Sequence, residues 1–262
     1  MTKFSELVAS LRRDGEDWGI TVGDDWLQGR AVYGGLTASL CLHACHLQEN
    51  DLPVLRSAQF AFVGPAVGRL RVRPTLLRRG KSSAFVGVEL VGEMGLATRA
   101  LFCFAADRAS QLSHAALAYP SPPPPTEGTS VYEGSPLNLN FVQHFEARLV
   151  QGHLPFSQGA PEMTIWARHR DGLAAPSLTS LVALADATPP PALAIPKQPG
   201  PISTMTWSID ILSSDLEKSE GWWLFRTKAD AVADGYSSQS TTIWSANGTP
   251  VMIGRQHLAL FM

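Results

Sequence analysis

The sequence has few charged residues, and long hydrophobic runs are absent from it. Asp, Glu, Lys and Arg make up 17% of the 262 residues, with 21 Lys and Arg against 23 Asp and Glu. This balance produces no strong field that would attract nucleic acid or an anionic membrane. No stretch approaches the roughly 18 apolar residues needed to span a bilayer, and residues 1–7 lack the apolar core of a signal peptide. We therefore expect a cytoplasmic protein with no nucleic-acid or membrane partner.

Cysteine is also scarce. Cys41, Cys45 and Cys103 are an odd number of scattered thiols, which favours reduced, buried cysteines over a disulfide framework. Cys41 and Cys45 together with His46 could in principle hold a metal, but a fourth ligand and the usual spacing are missing. We expect neither a metal nor another cofactor.

The common motifs of covalent catalysis are missing as well. The sequence contains no Gly-x-Ser-x-Gly elbow. A dispersed Ser/His/Asp set stays possible, because such triads are recognised by geometry.

The elements that are present follow the same order twice. After a short amphipathic helix over 3–13, the first half reads as one strand, one helix and four strands: 17–26, 33–47, 55–63, 68–78, 82–92 and 97–106. The second half reads as two strands, one helix and four strands: 138–150, 163–170, 176–186, 202–212, 221–231, 235–245 and 250–261. This order indicates an internal duplication at an offset near 155 residues.

Each half predicts a central helix wrapped by a curved antiparallel sheet, because a single helix cannot bury itself. Joining two such units edge to edge gives one long sheet and removes two edge strands. We divide the chain into an N-terminal domain over 1–110, a linker over 111–137 and a C-terminal domain over 138–262. The linker is rich in proline, which stiffens it towards polyproline II.

The second helix ends on an unusually placed carboxylate. Pro176 suits a first helical position, and Pro189-Pro190-Pro191 forbids continuation. Asp186 lies four residues after Val182, so it projects from the edge of the apolar stripe. Such an Asp either caps a neighbouring group or points into the following turn, or it is a desolvated base beside a pocket.

Four motifs together, in this order and spacing, resemble the acyl-CoA thioesterase II family from about Asp17 to Met262. They are Gln28-Gly-Arg-Ala-Val-Tyr-Gly-Gly35, Leu181–Asp186, Ile202-Ser-Thr-Met-Thr-Trp207 and Gly254-Arg-Gln-His257. The resemblance implies an α+β fold of two fused hot-dog domains, each a central helix wrapped by a curved antiparallel sheet. It also implies hydrolysis of an acyl-CoA substrate by water.

The resemblance carries three catalytic residues over by position: Asp186, Thr204 and Gln256. In the family an Asp, a Thr or Ser and a Gln of the second hot dog act together on the water. The residues around Thr204 and the proline-rich turn after Asp186 depart from the best-known members, so acyl chain length does not transfer.

The strand patterns predict an inward orientation for Gln256 but not for Thr204. Gln256 shares a face with apolar neighbours, so its amide needs a partner, which could be a water, a carboxylate or nearby main chain. Strict alternation puts Thr204 on the polar face of its strand, and it turns inward only if a bulge intervenes or if this end faces the other domain.

Tyr33, Gly34 and Gly35 begin the first central helix and are candidate oxyanion or substrate-binding residues. Free N–H groups at a helix start can stabilise an oxyanion, and glycine has no Cβ to block approach. The same glycines could equally serve close packing of helix on sheet.

A basic stretch over 69–81 contains six Lys or Arg and no acid. Arg78, Arg79 and Lys81 are candidates for binding the phosphates of CoA. A solvated strand face or a guard on a sheet edge explains the same residues.

Other functions of the same fold stay open at this point. A non-catalytic hot-dog protein could bind acyl-CoA or an acyl carrier, a hydratase could act on enoyl-CoA, and a scaffold could bind proteins only. No Asp/His pair is found at the helix start that a hydratase would use. Apolar outer strand faces predict a homo-oligomer of double hot-dog units.

Overall fold

A computed structural model describes residues 1–137, 139–174, 176–216 and 221–262 of the chain. Asn138, the first residue of a predicted strand and of the predicted C-terminal domain, lies outside these ranges. The helices within them are α1 (Phe4–Ala9), α2 (Gly34–Gln48) and α3 (Leu178–Ala185). Within the same ranges, no helix is both long and apolar enough to pass through a membrane.

The strands of the N-terminal half are β1 (Arg12–Asp14), β2 (Asp17–Thr21), β3 (Leu27–Gln28), β4 (Ala31–Val32), β5 (Leu55–Phe62), β6 (Arg69–Arg79), β7 (Ser83–Gly92) and β8 (Gly95–Ala105). Those of the C-terminal half are β9 (Thr129–Ser130), β10 (Phe145–Gly152), β11 (Glu162–His169), β12 (Ile202–Ile211), β13 (Trp223–Ala233), β14 (Tyr236–Ser245) and β15 (Pro250–Leu260).

Thirteen of these strands form one antiparallel sheet in the order β1-β2-β6-β7-β8-β5-β12-β15-β14-β13-β11-β10-β9. The halves meet where β5 pairs with β12, with Phe60 opposite Trp207. On either side of this junction the strand order is the same, because β8, β7, β6 and β2 correspond to β15, β14, β13 and β11. The predicted pair of hot-dog units sharing one long sheet is therefore confirmed.

The ends of two predicted helices are corrected. The helix expected over 3–13 ends at Ala9, and Arg12–Asp14 instead forms a hairpin with β2. Helix α3 begins at Leu178 because Ser177 caps it: the Ser177 hydroxyl accepts a hydrogen bond from the Ser180 N–H. Pro176 thus precedes the N-cap and is not the first helical residue.

The two central helices touch each other closely where the chain has glycine. A Cβ on Gly35 would lie 2.7 Å from the main-chain oxygen of Ala183, so no larger residue fits between α2 and α3 here. The Tyr33 hydroxyl donates a 2.9 Å hydrogen bond to the same oxygen. Residues 180–185 of α3 are buried on all sides, because α2 covers the face that the sheet does not.

The linker region is more than a connection. Residues 106–118 are exposed and irregular. Beyond them, the Trp166 indole donates a 2.8 Å hydrogen bond to the Pro123 carbonyl oxygen, and Tyr119 packs edge-on against Trp244. Strand β9 then pairs with β10 at the edge of the sheet. The second part of the predicted linker therefore covers and extends the C-terminal half of the sheet.

Corresponding strands of the two halves carry the same irregularity. In β5, Leu55 pairs with Phe104 and the next paired residue is Ser57. In β12, Thr204 pairs with Leu258 and the next paired residue is Thr206. Each strand has one extra residue at the same place, which is a β-bulge. A shared bulge supports the duplication that the sequence predicts.

Candidate active site

A cavity of about 480 Å³ lies between the halves, beside the first residues of α2. Its lining comes from the N-terminal half, from the end of the predicted linker and from the C-terminal half. The lining includes Gly34, Thr37, Phe62, Thr98, Val131, Tyr132, Leu139, Phe141, Val142, Asp186, Leu193, Thr204 and Gln256. About half of these side chains are apolar, and of the polar ones Asp186 and Gln256 meet at the end of α3.

Asp186 occupies the C-cap of α3, where the proline-rich turn begins. Its Oδ1 accepts a 2.6 Å hydrogen bond from Gln256 Nε2, and the Gly35 backbone N–H also donates to the carboxylate. Burial raises the pKa of Asp186 to about 7, and the hydrogen bonds from Gln256 and Gly35 partly oppose that rise. Protein surrounds the carboxylate, yet a small molecule can reach it from the cavity.

Gln256 lies on the inner face of β15, as alternation predicts. Its Nε2 bonds to Asp186, and its Oε1 accepts a 2.7 Å hydrogen bond from Gln239 Nε2. The partner on the cavity side is thus a carboxylate, one of the partners that the sequence leaves open. Both ends of the amide are satisfied, so its orientation is fixed.

Thr204 faces the cavity because of the bulge in β12. The register shifts between Thr204 and Thr206, so Thr204 falls on the same face as Trp207. Strict alternation is wrong at this position, and the bulge that could turn the residue inward is present. Thr204 shares the cavity with Asp186 and Gln256, but no hydrogen bond joins its hydroxyl to either of them.

The start of α2 presents its two glycines differently. A Cβ on Gly34 would lie 3.0 Å from Asp186 Oδ2, so the absence of a side chain leaves room for the carboxylate. Gly34 lines the cavity, and as the first residue of α2 it has an N–H without an intrahelical acceptor. The Gly35 N–H is already directed at Asp186.

Tyr33 is placed behind the cavity. Its ring stacks on Phe141 at 4.1 Å, and its hydroxyl is bonded to Ala183. Burial, with the nearby Asp186 charge, raises the pKa of the phenol well above its usual value. Tyr33 is therefore an uncharged support for the helix crossing, and it does not line the cavity.

The basic candidates Arg78, Arg79 and Lys81 are not brought to this cavity. They lie at the hairpin between β6 and β7. The part of β6 at the level of the cavity is Val72, because Val72 pairs with Leu90 and Leu90 pairs with Thr98, which lines the cavity. The hairpin is about 20 Å from Val72 along β6. Arg79 is also occupied by ion pairs with Glu49 at 2.9 Å and Asp51 at 3.0 Å.

Two contributions to the site were not predicted from the sequence. One is the segment after β9, where Tyr132 donates a 2.8 Å hydrogen bond to the carbonyl oxygen of Ala187, next to Asp186. The other is Gln239. Gln239 pairs with Gln256 across β14 and β15, but the register shifts between Ile243 and Trp244. Counting back from the turn Ala246-Asn247-Gly248 would have placed Gln239 opposite Arg255 instead, so no signal in the sequence indicates this pair.

Two family models match the chain. The model of the acyl-CoA thioesterase N-terminal domain matches residues 22–105, and that of the acyl-CoA thioesterase C-terminal domain matches residues 113–260. No curated protein matches the chain.

Solved structures share the whole fold at low sequence identity. A hot-dog protein of unknown function from Alicyclobacillus acidocaldarius has a TM-score of 0.88 at 22% identity, over 100% of this chain and 99% of that one. A putative thioesterase II from Thermobifida fusca has a TM-score of 0.83 at 20% identity, over 100% and 98%. An acyl-CoA thioesterase II from Mycobacterium marinum has a TM-score of 0.74 at 16% identity, over 97% and 96%.

Proposed function

The chain belongs to the acyl-CoA thioesterase family and is a thioester hydrolase, and on this premise we propose that Asp186, with Thr204 and Gln256, directs a water molecule onto the thioester of an acyl-CoA. The observation that carries the proposal is the Asp186 carboxylate, which accepts a 2.6 Å hydrogen bond from Gln256 beside a cavity with both apolar and polar lining. A carboxylate in this setting is a stronger base than one in bulk water.

The substrate would enter with its acyl group against the apolar lining. Phe62, Val131, Leu139, Phe141 and Val142 offer that surface. The thioester carbonyl would then lie near Asp186 and the start of α2. Binding energy from the acyl group would hold the carbonyl carbon close to the water, which lowers the entropic part of the barrier.

Asp186 would accept a proton from the water as the water oxygen attacks the carbonyl carbon. Thr204 would orient the same water through its hydroxyl, which has no hydrogen-bond partner among the described residues. Gln256 would hold the carboxylate in place by donating to Oδ1. When the tetrahedral intermediate collapses, the carbon–sulfur bond breaks and the CoA thiolate takes the proton from Asp186.

The developing oxyanion needs a donor that is not already used. Gly34 supplies one, because its N–H lies at the positive end of the α2 dipole and has no intrahelical acceptor. The Gly35 N–H serves the base instead. This division assigns the two glycines different roles in the same helix turn.

The test is turnover of an acyl-CoA panel of several chain lengths, followed by a thiol reagent that detects free CoA. Asp186→Asn keeps the shape but cannot take up the water's proton, so we expect kcat/KM to fall roughly 10²- to 10⁴-fold. Gln256→Met and Thr204→Val should each lower kcat as well, while Thr204→Ser, which keeps the hydroxyl, should retain most activity.

Asp210→Asn is the matched control, because Asp210 is an exposed carboxylate on the outer face of β12. Its activity should equal that of the unaltered protein. Full activity in Asp186→Asn would contradict the proposed mechanism. Saturable binding of acyl-CoA without release of CoA, at every chain length, would instead favour a binding protein.

A further inference from the structure

Gln239 is a buried amide next to the proposed site. It lies on the inner face of β14 and is 3% exposed. Its Nε2 donates a 2.7 Å hydrogen bond to Gln256 Oε1, and Gln256 Nε2 donates in turn to Asp186 Oδ1. Gln239 does not line the cavity, so it can act on the chemistry only through Gln256.

The direction of this hydrogen-bond chain is set by the carboxylate. An ionised carboxylate can only accept hydrogen bonds, so Gln256 must present its N–H group to Asp186. The amide oxygen of Gln256 then points away from the cavity and needs a donor, which Gln239 supplies. If the Gln256 amide turned over, its oxygen would face the carboxylate and its N–H group would face another donor.

We propose that Gln239 is a positioning residue that locks the Gln256 amide in the one orientation that serves Asp186. The inference rests on the proposed function, in which Gln256 holds the catalytic carboxylate. A donor at residue 239 keeps the amide from rotating about its terminal torsion, which is otherwise soft. The hydrogen bond from Gln239 also polarises the amide and strengthens its bond to Asp186.

The burial of Gln239 agrees with this role. Its own Oε1 is buried and has no hydrogen-bond partner among the described residues. An orphaned buried acceptor is unfavourable for stability. An apolar side chain would avoid that cost but would leave the Gln256 Oε1 without its donor. The amide at residue 239 is therefore explained by the need of Gln256 for a donor.

The experiment is a double-mutant cycle on the full chain. Gln239→Met keeps the length of the side chain but removes the donor, and we expect kcat for acyl-CoA hydrolysis to fall about tenfold with KM changed less than twofold. In a Gln256→Met background, Gln239→Met should cause no further loss of kcat. A role in packing alone would lower stability without this dependence on Gln256.

Ser237→Ala is the matched control. Ser237 lies two residues away on the same inner face of β14, is fully buried, and its hydroxyl also has no partner among the described residues. Its kcat should be unchanged. Gln239→Leu is a second variant, so that poor folding of one replacement leaves the other to decide. Thermal unfolding of every variant shows which ones are folded at the assay temperature.

The outcomes separate the two proposals. If Asp186→Asn and Gln256→Met lose activity but folded Gln239→Met and Gln239→Leu keep full kcat, the positioning role is refuted and the proposed function stands. The positioning role is also refuted if Gln239→Met lowers kcat by the same factor in the unaltered protein and in Gln256→Met. Undiminished activity in Asp186→Asn and Gln256→Met would refute the proposed function itself.

Discussion

At the scale of single residues, Asp186 combines two opposing requirements. Burial makes its carboxylate a better base, with a pKa of about 7, but the same burial disfavours the charged form. Hydrogen bonds from Gln256 and Gly35 compensate for only part of the lost hydration. The folded state therefore becomes less stable as this group ionises.

The pH dependence of stability follows from this shift. The pKa of Asp186 is raised from 3.8 to about 7 on folding, so its contribution to stability is fully present below pH 3.8 and is lost as pH rises through 7. Asp186→Asn stays neutral at every pH. The unfolding free energy of Asp186→Asn minus that of the unaltered protein should therefore rise with pH. Between pH 3.8 and about 7 we expect a rise of about 1.4 kcal/mol per pH unit.

Urea unfolding of both proteins at pH 5, 6 and 8 measures this difference. If the proposed role of Asp186 as base holds, kcat/KM should increase over the same range with a midpoint near pH 7, since only the ionised carboxylate can accept the proton. A difference in stability that is the same at pH 5 and pH 8 would show that Asp186 titrates normally.

The sequence predicts some of these residues better than others. Asp186 and Gln256 follow from helical and strand periodicity together with the family resemblance. The orientation of Thr204 could not be predicted, because one extra residue in β12 reverses the alternation before it. Periodicity alone does not reveal such an insertion.

At the scale of elements, the crossing of α2 and α3 sets the geometry of the site. The two helices approach so closely at Gly35 that main-chain atoms are in contact range. The Tyr33 hydroxyl bonds to α3 at the same level. This contact fixes the start of α2 against the end of α3, where Asp186 lies.

Substituting the two glycines should separate stability from activity. In Gly35→Ala the new Cβ would lie 2.7 Å from the Ala183 main-chain oxygen, and we expect a loss of about 1–3 kcal/mol in unfolding free energy. In Gly34→Ala the Cβ would meet Asp186 Oδ2 at 3.0 Å. That variant should keep its stability while kcat/KM falls.

Thermal unfolding and acyl-CoA turnover of the two variants test this pair, and each serves as the control for the other. Equal melting temperatures would argue against the tight crossing. Normal turnover by Gly34→Ala would argue against a carboxylate that needs the space beside residue 34.

The elements themselves are mostly predictable. Turn residues such as Gly64-Pro65 and Arg79-Gly80-Lys81 mark the strand ends, and the observed β5 and β6 differ from the predicted ranges by one residue. The start of α3 was less predictable, because Ser177 and Ser180 form a reciprocal cap that outweighs the preference of proline for a first helical position.

At the scale of the whole molecule, the two halves share a fold but not a site. The shared bulges equate Leu55 with Thr204, and the paired strands equate Phe102 with Gln256. Leu55 and Phe102 are buried apolar residues. The place in the N-terminal half that corresponds to the site is therefore filled with core side chains.

One substrate site per chain is the expected result. A non-hydrolysable acyl-CoA analogue should bind with a stoichiometry of one in isothermal titration calorimetry, and the Asp186→Asn protein should show the same number. A stoichiometry of two would mean that the N-terminal half holds a second site despite its apolar residues.

The position of the linker in the whole molecule could not be predicted from the sequence. Its proline content predicts a stiff connection, but composition does not indicate that the linker contributes Val131, Tyr132, Ser135 and Leu137 to the lining of the cavity. That placement depends on tertiary contacts such as the bond from Tyr132 to Ala187. Assembly into a homo-oligomer stays a prediction.

The site draws the start of α2 from one half and Asp186, Thr204 and Gln256 from the other. In a dimer of separate chains, such a shared site would be lost at low protein concentration, because the subunits would dissociate. Here the connection over residues 106–118 makes the encounter of the halves intramolecular, and short flexible tethers give effective concentrations on the order of millimolar. The integrity of the site is thereby uncoupled from the concentration of the protein.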